Sequence, residues 1–382
     1  MKTLRIFSII AVLAVVLSLG FSTKAIAQAD NPNPPDQIVK LIFIHHSSGE
    51  NWLIDEHGGL ALELQRNNYF VSDTNYGWGP DGIGDRTDIP NWLEWFRSDL
   101  TPTYMDALFN ESAQNSGYTR IIDDPGGENQ IVMFKSCFPN SNLEGNPDDA
   151  AAQGEDFTVA NAKYVYNEIL KYFLTRPDKL FILITAPPVQ DSTYGHNARA
   201  FNDWLVNDWL TENGYPYSNV AVFDFYNVLT VPGNHHRYQN GVIEHITDQG
   251  GNTLYYPTDG DDHANSTGTQ KATQEFVPLL NVYYHRWIEN QQVQPEVATP
   301  TEEYVEPTEV IEEEVEISTN TPEVGEEVEE TAAPTQEVIE KESEEVTSKP
   351  ERKGPRLCPL PMTFGLLMAI LVTILSRKQN KN

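Results

Sequence analysis

The feature that most constrains the fold of this chain is a series of five short apolar runs between residues 39 and 223. They occupy residues 39–44, 69–71, 131–134, 180–184 and 220–223, and the second run is the weakest. Neighbouring side chains of a strand point to opposite faces, so a continuous apolar run predicts a strand that is buried on both faces. Such strands are typical of a parallel sheet covered by helices.

Apolar residues between these runs recur at helical spacing. Ala162, Val165 and Ile169 lie three or four positions apart ahead of the fourth run, and a last helix is expected over residues 268–287. Strands that alternate with helices, joined by right-handed crossovers, form a doubly wound sheet. The sequence therefore predicts a three-layer α/β/α sandwich with a five-stranded, mostly parallel, flavodoxin-like sheet over residues 36–290.

Three polar clusters come after predicted strands. They are His-His-Ser-Ser-Gly-Glu-Asn at 45–51, Ser-Cys-Phe-Pro-Asn-Ser-Asn at 136–142 and Asp-Gly-Asp-Asp-His-Ala-Asn at 259–265. In open parallel sheets, ligands bind beyond the carboxyl ends of the strands. We therefore expect these clusters to meet at one edge of the sheet and to form a site there.

The residue types in the clusters suit hydrolysis through a serine. A serine hydroxyl is a weak nucleophile and needs an adjacent base. Histidine can take the hydroxyl proton and later return it, and a carboxylate fixes the histidine tautomer and stabilises its cation. Backbone N–H groups and an asparagine amide can hold the oxyanion that develops on the substrate.

The order of the clusters resembles the SGNH (GDSL-like) hydrolase family over nearly all of residues 36–290. That family has a serine nucleophile directly after the first strand, a glycine after the second, an asparagine after the third, and Asp-x-x-His before the last helix. The resemblance implies a carboxylic ester hydrolase that requires no cofactor and no metal.

Matching the family motifs to this sequence assigns the nucleophile and the oxyanion donors. Ser47 aligns best as the nucleophile, with Ser48 as the second choice, although His-His-Ser stands where the family has Gly-Asp-Ser. The resemblance assigns the oxyanion hole to the Ser47 N–H, the Gly77 N–H and the side-chain amide of Asn140. Asn142 is the reserve for the amide, because the family's Gly-x-Asn-Asp is absent.

The resemblance assigns the catalytic base to His263, but the acid of the motif is displaced. Residue 260, where the family has its aspartate, is glycine, and Asp259 and Asp261 flank it. We prefer Asp259, with the chain bulged by one residue at Gly260, and Asp261 is the alternative. A Ser–His pair without a working aspartate is the third arrangement.

Two other functions fit the same residues. The altered motifs are compatible with a non-catalytic glycan-binding module on a hydrolase-like scaffold, because a fold does not fix a function. The histidine pairs at 45–46 and 235–236, with His263, could instead serve a metal-dependent hydrolase, although metal-ligand spacing on a helix is absent. The aromatic residues between 76 and 96 are more often core than a sugar-binding surface.

The remaining segments predict export and anchoring. Residues 1–27 read as a cleaved signal peptide, residues 291–356 as an acidic Pro/Glu/Thr-rich disordered stalk, and residues 357–376 as a transmembrane or sorting helix before a basic cytoplasmic tail at 377–382. This topology places the domain on the cell surface, held by a single membrane pass. That location favours an acyl-ester substrate such as an O-acetylated polysaccharide.

Charge and cysteine content disfavour some alternatives. The formal net charge of −31 disfavours nucleic-acid binding, which needs a basic surface. Cys137 and Cys358 are the two cysteines of the chain, and their separation disfavours an internal disulfide or a zinc framework. The domain must therefore be stabilised by its own core.

Overall fold

The computed structural model describes residues 29–293 with the exception of Asp259. The predicted signal peptide, most of the predicted stalk, the apolar segment and the basic tail lie outside these residues. No helix in the described ranges is both long enough and apolar enough to cross a bilayer.

Five strands of the described chain form one parallel sheet. They are β1 (Val39–Ile44), β2 (Tyr69–Asp73), β3 (Ile131–Lys135), β4 (Leu180–Ile184) and β5 (Val220–Phe223). Their order across the sheet is β2-β1-β3-β4-β5, and every neighbouring pair is parallel. The predicted fold class is confirmed, and each predicted apolar run is a strand.

Helices cover both faces of the sheet. They are α1 (Ser48–Leu53), α2 (Leu60–Arg66), α3 (Trp92–Arg97), α4 (Thr101–Asn110), α5 (Val159–Phe173), α6 (Gly195–Asn207), α7 (Trp209–Glu212), α8 (Phe225–Thr230) and α9 (Ser266–Val293). Short 3-10 turns occupy Pro80–Gly82, Ile89–Asn91 and Phe138–Ser141.

The alternation of side chains along β1 separates two apolar cores. Leu41 and Phe43 join a core with α1, α2, α8 and α9, whereas Ile42 and Ile44 join a core with α3, α4, α5 and α6. All six residues of β1 are buried. Five of these residues are apolar, which reflects two covered faces rather than one, and Lys40 is buried with them.

A two-stranded antiparallel hairpin lies outside the sheet. It consists of β6 (His235–Gln239) and β7 (Val242–Ile246), which pair through the turn at Asn240 and Gly241. Both turn residues have positive φ angles, 54° and 84°, as a two-residue hairpin turn requires. Neither strand is among the predicted apolar runs, although Asn-Gly is a strong hairpin signal.

The strand order creates a crevice at the carboxyl end of β1. The chain passes from β1 to β2 on one side and later reaches β3 on the other side of β1. Connections leaving β1 and β3 therefore diverge, which is where ligands bind in doubly wound sheets. Ser47 comes after β1 at this point, and the Phe138–Ser141 turn comes after β3.

Candidate active site

Ser47 occupies a strained turn between β1 and α1. Its φ and ψ angles are 48° and −105°, a region that non-glycine residues rarely adopt. The Gly49 N–H donates to the His46 carbonyl at 3.0 Å, and the Asn51 N–H donates to the Ser47 carbonyl at 3.1 Å. The surrounding hydrogen bonds thus hold a conformation that presents the serine side chain at the end of the strand.

The close approach of the turn to β1 explains the glycine at position 49. A Cβ atom on Gly49 would lie 2.4 Å from the Cβ of His45, whose side chain is fully buried. No real Cβ tolerates that distance, so any other residue would force the turn or the histidine to move.

Ser47 and His263 are hydrogen bonded to each other across 216 positions of sequence. The bond joins the Ser47 Oγ and the His263 Nε2. On the other side of the ring, the His263 Nδ1 lies 2.9 Å from the Asp261 Oδ2. A carboxylate only accepts, so Nδ1 carries the proton and Nε2 is left to accept from the serine hydroxyl.

Asp261 has further donors that keep it ionised. Its Oδ1 accepts from the Thr258 hydroxyl at 2.7 Å and from the His263 backbone N–H at 2.9 Å. Partial burial acts to raise the pKa of Asp261, but the hydrogen bonds from Thr258 and His263 outweigh it and the pKa lies below its ordinary value. Asp261 is therefore negative at neutral pH and can stabilise a cationic His263.

Asp259, the acid preferred from the sequence, lies outside the described residues. Gly260, between the two candidate acids, has a φ angle of 118°, in the region that favours glycine. The geometry brings Asp261, the alternative acid, to the His263 ring.

Gln190, which no sequence motif marks, fixes the His263 loop. The Gln190 backbone N–H, in the segment after β4, donates to the Asp262 Oδ1 at 2.8 Å. The Gln190 Nε2 donates to the Asp261 carbonyl at 2.9 Å. These contacts join the loop that carries His263 to a second strand end.

Ser48 points away from the histidine. Its side chain is buried, and its Oγ lies 3.8 Å from the Sγ of the buried Cys137. Of the two candidate nucleophiles, Ser47 is the one hydrogen bonded to His263.

The two predicted oxyanion donors other than Ser47 have acceptors within the protein. The Gly77 N–H donates to the Asp85 Oδ1 at 2.8 Å, and Gly77 has a positive φ of 74°. The buried Asn140 side chain donates through Nδ2 to the Asp88 Oδ1 at 2.6 Å and accepts from the Ile89 N–H at 2.9 Å. Each donor would have to exchange a carboxylate for the substrate oxygen, so the roles of Gly77 and Asn140 stay predictions.

Asn142, the reserve amide, lies at the end of the Phe138–Ser141 turn. Its backbone N–H donates to the Pro139 carbonyl at 3.1 Å, which closes that turn. Its role as an oxyanion donor also stays a prediction.

A fully buried His–Asp pair lies behind the nucleophile turn. The His45 Nε2 is 3.1 Å from the Asp73 Oδ2, and both side chains are fully buried. Asp73 also accepts from the Ser116 hydroxyl at 2.6 Å and the Asn115 N–H at 2.8 Å. Burial raises the pKa of Asp73, but these bonds together lower it below its ordinary value, whereas burial lowers the pKa of His45.

This buried pair joins the ends of two strands. His45 comes directly after β1, and Asp73 ends β2. A neutral His45 held by an ionised Asp73 therefore fixes the point at which the chain enters the Ser47 turn.

The aromatic residues of the 76–96 segment divide into two groups. Trp92, Trp95 and Phe96 are buried in the core on the α3 face, as predicted. Tyr76 is 48% exposed and stacks on His46, with ring centroids 5.2 Å apart. Phe138 meets the His263 ring edge-on, with ring centroids 5.2 Å apart.

The histidines of the two sequence pairs hydrogen bond to different partners. The His235 Nδ1 lies 2.7 Å from a Glu275 carboxylate oxygen, and the His236 Nδ1 accepts from the Asp224 N–H at 2.9 Å. In the described part of the chain, one group of side chains could hold a metal ion: Asp203, Asp224 and His245. It contains neither a member of the pairs nor His263.

Comparisons with known proteins add little to this geometry. No family model matches the chain, and the search of curated proteins finds no match. Solved structures similar to the chain include a carbohydrate esterase family 2 enzyme with a carbohydrate-binding domain from Corynascus thermopiles (Myceliophthora fergusii). The match has 12% identity, covers 66% of this chain and 68% of the other, and has a TM-score of 0.31.

A second solved structure is described as a carbohydrate esterase whose active site has divergent catalytic and non-catalytic binding functions. It is 11% identical, with the same coverages and a TM-score of 0.31. Likenesses at this level carry no argument about activity, which must rest on the side chains of this chain.

Proposed function

We propose that the domain is a serine hydrolase that cleaves carboxylic ester bonds. The observation that carries the proposal is the continuous hydrogen-bonded series Ser47–His263–Asp261 at the sheet edge. A hydroxyl, an imidazole and a carboxylate in that order are the parts of a serine nucleophile and its base.

In the proposed reaction each member has a role. The Ser47 Oγ attacks the ester carbonyl carbon while its proton passes to the His263 Nε2. His263 then returns that proton to the departing alcohol oxygen, which leaves an acyl group on Ser47. Water repeats the sequence in the second half, giving its proton to His263, and the acid and free Ser47 are released.

Asp261 acts through His263. It accepts from the Nδ1–H and stabilises the positive ring that forms when Ser47 is deprotonated. Side-chain exposure of Asp261 is 49%, so solvent screens this stabilisation more than in a buried triad. We therefore assign it a moderate share of the rate enhancement.

The first test is hydrolysis of p-nitrophenyl acetate by the full chain beside Ser47→Ala, Ser48→Ala and His263→Ala. We expect Ser47→Ala and His263→Ala to lose activity and Ser48→Ala, whose hydroxyl faces Cys137, to retain it. A serine-reactive phosphonate should label the parent and the Ser48 variant but not the Ser47 variant. A parent that neither turns over the ester nor takes the label contradicts the proposal.

A non-catalytic glycan-binding module is the second candidate. It is favoured by one observation: the Gly77 N–H and the Asn140 amide are both bonded to carboxylates of the protein. A module of this kind would bind an oligosaccharide with the same affinity before and after Ser47→Ala and would show no turnover.

We also propose that the domain is exported and displayed outside the cell, with residues 357–376 as its anchor. The support is the sequence pattern of the two chain ends: an N-terminal apolar run with a small-residue cleavage site, and a C-terminal apolar run before a basic tail. Protease shaving of intact cells tests the location, because an exported domain is released by external protease and an internal one is not. Natural O-acetylated polysaccharides are the substrates that such a location would offer.

A further inference from the structure

We propose that Tyr76, backed by the buried His46, forms a carbohydrate-binding subsite beside the nucleophile, which takes a neutral sugar ring of the ester substrate. The inference rests on the proposed hydrolase function and extends it to the alcohol part of the substrate. The observation behind it is an exposed aromatic ring stacked on the residue that precedes Ser47.

The position of Tyr76 places it within reach of a bound ester. His46 is one peptide unit, about 3.8 Å between Cα atoms, from Ser47. The Tyr76 and His46 rings are 5.2 Å apart and inclined by only 25°. The Tyr76 ring therefore packs against the residue next to the nucleophile, where we expect the alcohol part of a bound ester to reach it.

Hydrogen bonds on both sides hold the Tyr76 loop in place. The Tyr76 N–H donates to the Asn75 Oδ1 at 2.9 Å, and the Gly77 N–H donates to the Asp85 Oδ1 at 2.8 Å. Gly84 packs so closely that a Cβ there would lie 1.8 Å from the Asn75 carbonyl oxygen. The exposed ring is therefore displayed by an ordered loop, so little conformational entropy is lost when a ligand stacks on it.

The surroundings favour a sugar over an acyl chain. A pyranose presents one face of C–H groups to an aromatic ring and hydroxyls at its edge, so it needs a single apolar surface with polar groups around it. Tyr76 provides that surface, and the exposed carboxylates of Asp81 and Asp85 lie in the same loop. Hydroxyls can donate to such carboxylates.

The same carboxylates select against charged sugars. The exposed carboxylates of Asp81 and Asp85 would repel the uronic acids or phosphates of anionic polymers. The subsite therefore fits a neutral, O-acetylated oligosaccharide.

The experiment compares two acetyl esters, p-nitrophenyl acetate and mono-O-acetylated xylotriose, in the full chain and in three variants. Tyr76→Ala removes the ring, Tyr76→Phe retains it, and Tyr217→Ala removes a tyrosine that precedes β5 and so lies at the opposite edge of the sheet. The measured quantity is the ratio of kcat/KM for the xylotriose ester to kcat/KM for the nitrophenyl ester.

We expect this ratio to fall about three- to tenfold in Tyr76→Ala, chiefly through KM, as the loss of one aromatic stacking contact predicts. Tyr76→Phe and Tyr217→Ala should keep the parental ratio. An unchanged ratio in Tyr76→Ala, or an equal loss in Tyr217→Ala, overturns the subsite while leaving the hydrolase intact.

A binding measurement separates failure of the subsite from failure of the hydrolase. If the parent is inert on both esters, calorimetric titration with unmodified xylotriose still tests whether Tyr76 contributes to sugar binding. Weaker binding by Tyr76→Ala than by the parent supports the subsite on a non-catalytic module. Equal binding, or none by the parent, overturns it.

Discussion

Replacing Asp261 by asparagine should damage catalysis more than replacing it by alanine. The reason is the distribution of donors around the carboxylate: Oδ1 accepts from Thr258 and from the His263 N–H, and Oδ2 accepts from the His263 ring. An asparagine satisfies the two donors by placing its oxygen at the Oδ1 position. Its NH₂ group then faces the His263 Nδ1, which must lose its proton to accept.

That arrangement selects the wrong tautomer of His263. With Nδ1 accepting, the neutral ring carries its proton on Nε2 and has no lone pair for the Ser47 hydroxyl. Alanine removes the carboxylate but imposes neither tautomer. The two variants therefore differ in a way that a purely electrostatic role of Asp261 would not produce.

The size of each effect can be worked out from the contacts. A hydrogen bond to a charged group contributes about 1.5–3 kcal/mol, and the exposure of Asp261 selects the lower end, about 1.5 kcal/mol or roughly tenfold in rate for Asp261→Ala. For asparagine to turn its oxygen to Nδ1, it must give up two hydrogen bonds of about 1 kcal/mol each. These two hydrogen bonds correspond to about a thirtyfold rate loss beyond the roughly tenfold loss from the missing charge. Asp261→Asn should therefore lower kcat by roughly 300-fold.

The assay is kcat and kcat/KM on p-nitrophenyl acetate across pH 5–9, with Asp259→Ala as the matched control. We expect Asp259→Ala to stay within about twofold of the parent, because Asp261 already accepts the Nδ1–H. Thermal unfolding of each variant checks that the loop still folds. An Asp261→Asn enzyme as active as Asp261→Ala, or an Asp259→Ala enzyme with the larger loss, refutes the reasoning.

Three further substitutions test other contacts. Gly49→Ala should destabilise the fold by about 1–3 kcal/mol in denaturant unfolding and lower kcat, because its methyl group overlaps His45; an unchanged midpoint contradicts this. Asp262→Ala should lower kcat by releasing Gln190, whereas Asp262→Asn keeps the acceptor and the activity; equal losses would falsify a positioning role. Burial lowers the pKa of His236 to about 3, so below pH 6.5 the unfolded chain binds a proton that the folded chain does not. His236 should then contribute up to about 1.4 kcal/mol per pH unit to the fall in unfolding free energy on acidification. His236→Gln should lower the slope by that contribution, measured as unfolding at pH 4.5 and 6.5.

Most of the sheet could be predicted because strands that are buried on both faces appear in the sequence as short, mostly apolar runs. β1, β4 and β5 begin and end where their apolar runs do. β2 and β3 extend beyond their predicted ends into Asp73 and Lys135, which are buried yet polar. A rule based on hydropathy stops at such residues, even though the strand hydrogen bonds continue through them.

The hairpin was missed for a different reason. β6 and β7 are partly exposed and rich in His, Arg and Glu, so neither is an apolar run. The signal that could have found them is the Asn240-Gly241 pair between two stretches of alternating polarity. Local turn chemistry, rather than hydropathy, carries that information.

The site could be predicted at the level of clusters, because the carboxyl edge of a parallel sheet collects the residues that come directly after each strand. This rule places Ser47 at that edge, whereas His263 stands far beyond β5, ahead of α9, and is assigned only through the family resemblance. The fold brings the two into hydrogen-bond contact. It cannot find Gln190, whose contacts join loops that meet only in three dimensions. It places His45 and Asp73 at strand ends but cannot show that they pair. The sequence alone cannot say which of the adjacent Ser47 and Ser48 is the nucleophile, because that depends on which hydroxyl contacts His263.

The spacing of the acid differs from that of the motif that the sequence resembles, yet the carboxylate still reaches the histidine ring. Asp-x-x-His sets the carboxylate three residues before the histidine, and Asp261 stands only two before His263. An aspartate can accept the N–H two residues on, and the Asp261 Oδ1 does so while Oδ2 reaches the Nδ1 of the same residue. One carboxylate thereby fixes both the backbone and the ring of His263, so the shorter spacing needs no bulge to bring a second acid into place.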